Sequence, residues 1–150
     1  MVHALEEIQR LLKPEGCLID IHPVPEDRLV VIDQDGRVLF SESVPIPTPD
    51  YEVISQAEAA LAQVVQRGLF NIERSLAFDL ATYASSVAEL QEFFAKAGAY
   101  HDGPKDDAVA AQRTALYARV DEIMKTAGHG AQVVYHEQAH MMRLNPNVIK

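Results

Sequence analysis

Over the first dozen residues, Leu5, Ile8 and Leu12 recur at spacings of three and four, with Ala4 and Leu11 beside them. That spacing predicts an amphipathic helix starting almost at Met1. Lys13-Pro14-Glu15-Gly16 must stop it, because proline cannot continue a helix and glycine suits the close of a tight turn. The mostly apolar run Cys17 to His22 is bounded by that turn and by Pro23 and Pro25, and predicts a buried, interior strand. Two β-rich segments, 28–33 and 37–40, are joined through Gln34-Asp35-Gly36. An Asp-Gly pair takes the positive φ angles that hairpins require, so a hairpin is predicted there.

Residues 41–50 hold Pro45, Pro47 and Pro49 and predict an extended linker, with Thr48 as N-cap and Pro49 as the first helical residue. The helix that follows carries the stripe Val53, Ile54, Ala57, Ala60, Leu61, Val64 and Val65 and stops at Gly68. Phe70, Ile72, Leu76, Phe78 and Leu80 alternate on one face of a predicted strand, interrupted by Arg74. Ser86-Val87-Ala88-Glu89 is a capping box opening a helix with Leu90, Phe93 and Phe94 inward and Gly98 at its end. After Gly103-Pro104, Asp106 and Asp107 favour the start of a helix carrying Val109, Leu116, Val120, Ile123 and Ala127, ended by Gly128 and Gly130. Residues 132–144 read as a final strand, with a frayed tail beyond Pro146. No repeat or linker divides the chain, so residues 1–150 are expected to form a single α/β domain.

Composition narrows the function classes. The chain of 150 residues carries 13 basic and 22 acidic side chains, a net charge of -9, with the basic ones scattered. This disfavours nucleic acid and anionic membranes as partners. The apolar runs fall far short of the roughly 20 residues that span a bilayer, and no export signal is visible. The single cysteine, Cys17, cannot form an internal disulfide, which fits a reducing, cytoplasmic setting.

The segment Leu5-Glu6-Glu7-Ile8-Gln9-Arg10-Leu11-Leu12-Lys13-Pro14-Glu15-Gly16-Cys17-Leu18-Ile19-Asp20 resembles a helix, leu-lys-pro-x-gly turn and fifth strand of class I S-adenosylmethionine-dependent methyltransferases. From there on the resemblance is one of element order: helix, strand, two helices, strand, with a weaker motif at Phe78 to Leu90. It implies the C-terminal part of a Rossmann-like methyltransferase fold, a mixed sheet with flanking helices and an inserted β-hairpin. The turn is structural, and Glu15, where the family often has glycine, fits the third position of a type I turn. The family's glycine-rich turn and acidic residue belong to the half upstream of this pattern. The only Gly-x-Gly here, Gly128-His129-Gly130, follows a helix instead of a strand. S-adenosylmethionine is therefore expected to bind only if that N-terminal half is supplied, and no cofactor is expected for this chain alone.

The family's fifth strand is interior, so the resemblance leaves one apolar edge of residues 17–22 without its neighbour. Open edges invite pairing with another strand. Three covers are expected: a second copy of the chain, the hairpin at 28–40, or a separate polypeptide carrying the first half. A homodimer is favoured because two-fold homodimers are the commonest oligomers.

Candidate chemistry lies at two places. His22 ends the fifth strand, where open α/β sheets bind ligands, and Asp20 lies two residues back on the same face. By resemblance this is the border of the methyl-acceptor pocket, with Tyr83 as a further lining residue. A histidine there could serve as base for a hydroxyl or amine acceptor, set against a purely structural hydrogen bond at the strand end. His136-Glu137-Gln138-Ala139-His140 matches H-E-x-x-H, in which a helix brings two histidines to one zinc ion and the glutamate acts as base. In a strand, residues four apart stand roughly 13 Å apart, too far for one metal. Tyr51, Phe93 and Phe94 read as core or pocket residues and Cys17 as a small buried hydrophobe. The sequence thus predicts a methyltransferase-like segment that contributes an acceptor side and a partner surface without catalysing transfer alone. The alternatives are a small zinc hydrolase and a non-enzymatic ligand-binding or dimerisation module.

Overall fold

The computed structural model describes residues 1–97 and 106–147. The expected helix stop at Gly98, the Gly103-Pro104 break and the end of the expected tail lie outside the described residues. The elements are α1 (Val2–Leu11), β1 (Leu18–Pro23), β2 (Arg28–Gln34), β3 (Arg37–Val44), α2 (Thr48–Gln66), β4 (Phe70–Ala84), α3 (Val87–Ala97), α4 (Asp107–Ala127) and β5 (Ala131–Pro146). The fold is mixed α/β, with an open, mostly antiparallel sheet in the order β1-β5-β2-β3 and with β4 also paired to β5. β1 pairs antiparallel with the second half of β5, Leu18 opposite Leu144 and His22 opposite His140. β2 pairs antiparallel with its first half, Leu29 opposite His136 and Gln34 opposite Ala131.

Two compact units divide these residues. The first comprises Met1–Pro25, Asp50–Phe78 and Gln138–Lys150. Its core gathers Leu5 from α1, Ala60, Leu61 and Val64 from α2, Phe70 from β4 and Met142 and Leu144 from β5. The α2 stripe packs as its periodicity predicts at Ala60, Leu61 and Val64, whereas Val53 is exposed. Gly68, at φ +72°, ends the helix in a conformation that a β-carbon would oppose.

The second unit comprises Glu26–Pro49 and Asp79–Glu137. Val30 and Ile32 of β2, Leu90 of α3, Leu116, Tyr117 and Val120 of α4, and Val133 and Tyr135 of β5 form its core. Burial pushes the Tyr117 and Tyr135 phenols above their ordinary value. The hairpin turns on Asp35 and Gly36 at φ +53° and +82°, the pair of positive angles that its sequence predicts. Asp106 caps α4 by accepting from the Ala108 and Val109 amides. Ser86 accepts from the Glu89 amide, but the Glu89 carboxylate accepts from the amide and hydroxyl of Ser85, not from Ser86.

Four expectations are corrected. β1 is not a buried interior strand: among the described residues it pairs on one side only, with β5, and Ile19 and Ile21 are 50% and 60% exposed. An apolar run suits a strand covered on both faces, but the face of β1 that carries Ile19 and Ile21 is exposed. The hairpin does not cover that edge, because β2 is hydrogen-bonded to β5. Residues 41–44 are strand instead of linker, continuing β3 to Val44 opposite Arg28. The apolar face predicted for β4 is mostly open: Phe70 is buried, but Ile72, Leu76 and Leu80 are exposed.

Candidate functional site

The Lys13-Pro14-Glu15-Gly16 turn closes with the Gly16 amide donating to the Lys13 carbonyl at 2.8 Å and delivers the chain into β1. Strand alternation then sends Leu18, Asp20 and His22 to one face and Ile19 and Ile21 to the other. On α2, Glu58, Leu61, Ala62, Val65 and Gln66 share one helical face at spacings of three and four. Between that face and the strands lies a cavity of about 410 Å³, to which His22, His140, Met142, Leu144 and Ile72 also contribute. Its lining is predominantly apolar side chain, with His22, Glu58, His140 and Gln66 as the polar members.

His22 is the fixed point of the site. Its Nδ1 donates to Asp20 Oδ2 at 2.5 Å, and its side chain is only 10% exposed. A carboxylate has no proton to give, so Nδ1 carries one, and in the neutral tautomer this leaves a lone pair on Nε2. That Nε2 is buried and has no hydrogen-bond partner among the described residues. The nearest charged group is Glu58 Oε1 at 3.6 Å, beyond hydrogen-bonding reach. The His140 ring stands edge-on to His22 at a centroid distance of 5.8 Å, and its Nε2 is hydrogen-bonded to the Ser75 hydroxyl at 2.6 Å. Together these leave one oriented, unused imidazole nitrogen buried within a side chain that lines an apolar cavity.

The other predicted residues fall elsewhere. Tyr83 stands on β4, 61% exposed, and does not line the cavity. His136 and Glu137 lie on β5 with His140, so the H-E-x-x-H segment is strand and lacks the helical turn that would bring both histidines to one metal. Glu137 instead faces Arg28 Nε at 3.3 Å. Among the described residues no three His, Cys, Asp or Glu side chains are grouped to hold a metal ion. Phe94 packs edge-on against Tyr135 at 4.6 Å, while Phe93 is exposed. Cys17 is half-buried. Glu58 and Ser75 belong to no motif in the sequence, and His140 falls there within the zinc pattern. The available signal for Glu58 was its place on the same helical face as Leu61 and Val65, where a carboxylate interrupts an apolar stripe.

Comparison with protein-family models, with curated proteins and with solved structures finds no match to this chain.

Proposed function

We propose that the chain binds a small, mostly apolar molecule bearing a hydrogen-bond donor in the cavity lined by His22 and Glu58, and that this cavity is the acceptor side of a methyltransferase-like segment. The observation that carries the reading is the buried, unpartnered Nε2 of His22, held in one tautomer by Asp20 at 2.5 Å. A buried polar atom without a partner costs free energy until something bonds to it, about 1–3 kcal/mol by mutational measures. A ligand donor reaching Nε2 recovers that cost. The same nitrogen can then take a proton from a bound hydroxyl, the role a base has toward a methyl acceptor.

The described residues do not fit S-adenosylmethionine. Gly128 and Gly130 follow α4, Gly36 turns the hairpin, Gly68 ends α2 and Gly16 closes the turn before β1. None sits in a strand-turn-helix loop that could cradle the cofactor. No transfer step is therefore assigned to these residues, and the chain by itself acts as a binding module.

The unpaired side of β1, with Ile19 and Ile21 beside it, supports a partner strand at that edge. A second copy of the chain is the occupant this reading favours, with a polypeptide supplying the upstream half as the other.

The binding reading is tested with 1-octanol as probe, by calorimetry and by the His22 ring NMR signals. Binding with a shift of Nε2 is expected, and His22→Ala should weaken it by about 0.5–1.5 kcal/mol, the size of one hydrogen bond. Absence of binding to the unmodified chain would sink the proposal.

A further inference from the structure

We infer that the ligand of this cavity is an elongated amine, held by its ammonium head between His22 and Glu58; the inference rests on the binding reading above and names its ligand class. Two acceptors converge at one end of the cavity. With Nδ1 committed to Asp20, the neutral ring keeps a lone pair on Nε2, and Glu58 Oε1 lies 3.6 Å from it. They are too far apart to bond each other and too close for a bulky group to separate. A hydroxyl has one proton and satisfies one of them. An ammonium has three N–H donors and serves both.

Charge selects in the same direction. Filling the cavity strips water from the Glu58 carboxylate, and a buried charge is tolerated when an opposite charge meets it. A ligand carboxylate would meet Glu58 as a like charge. The net charge of -9 adds a long-range preference for cations.

Shape follows from the walls. Glu58 to Gln66 spans eight residues of helix, about 12 Å, and His140 to Leu144 spans four residues of strand, about 13 Å. His140 is paired opposite His22, and Leu144 is paired opposite Leu18, so the two histidines share one end of the floor. Beyond them the walls are Leu61, Ala62, Val65, Met142 and Leu144. The trough therefore takes an extended apolar tail of about eight carbons, matching its length of about 12 Å.

The full chain is titrated calorimetrically with octylamine, 1-octanol and octanoate below their micelle concentrations, alongside Glu58→Gln and Ala62→Phe. Octylamine should bind about tenfold more tightly than 1-octanol, and octanoate should not bind detectably. Glu58→Gln, an isosteric change at the cavity rim, should bring octylamine down to the level of 1-octanol. Ala62→Phe should abolish both by filling the trough. Equal affinity for octylamine and octanol would overturn the amine assignment while leaving the binding reading standing. Failure of both probes, or binding that survives Ala62→Phe, would overturn the two together.

Discussion

Asp20 and His22 lie two residues apart on β1, so strand geometry alone puts both side chains on one face. That much is legible in the sequence, as is the chemistry of a histidine at a strand end. Glu58 is not legible as their neighbour, because 36 positions and two other strands separate it from His22 along the chain. Another residue-scale feature answers to pH. The exposed Glu89 carboxylate is held below its ordinary value of 4.5 by the Ser85 hydroxyl and amide. Between the folded and unfolded values the unfolded chain binds more protons, so stability from this cap is complete above about 4.5 and is lost as pH falls through the lower, folded value. Glu89→Gln should flatten the acid limb of Tm against pH in that window. An unchanged limb would show that the Ser85 bonds contribute nothing there.

At the scale of elements, the hairpin was readable because its determinants are local. Asp35-Gly36 occupies the two positive-φ positions, and no distant residue is needed to choose that turn. Gly36→Val places a β-branched residue at φ +82° and should destabilise the protein by roughly 1–2 kcal/mol in urea titration, with an unchanged m-value. A loss below a few tenths would mean that the turn relaxes to another type. Strand β1 shows the opposite case. Its run of apolar residues predicts full burial, but burial belongs to whatever covers each face, and that cover comes from elements far away in sequence. The same reason leaves Ile72, Leu76 and Leu80 of β4 exposed although their alternation is regular. The H-E-x-x-H match fails at this scale too: the motif needs a helix, and the β-branched and aromatic residues Val133, Val134 and Tyr135 lead into a strand.

At the scale of the molecule, the open edge of β1 makes the oligomeric state informative. Light scattering on the eluted protein is expected to give a dimer, and Ile21→Lys, which sets a charge on the exposed face of the edge strand, should shift it to monomer. A monomer from the unmodified chain at high concentration would refute the second-copy reading and leave the other polypeptide to be sought. By itself the sequence determined where most of the helices and strands lie, the hairpin and the shared face of Asp20 and His22, because periodicity, caps and turn residues act over a few positions; it did not show that β3 runs on to Val44. Only the tertiary structure decided that β1 is an edge, that β2 joins β5, and that Glu58 and His140 meet His22 at one cavity. Those outcomes depend on which surfaces find one another across long stretches of chain, and hydrophobic attraction has no direction with which to write that choice into a local pattern.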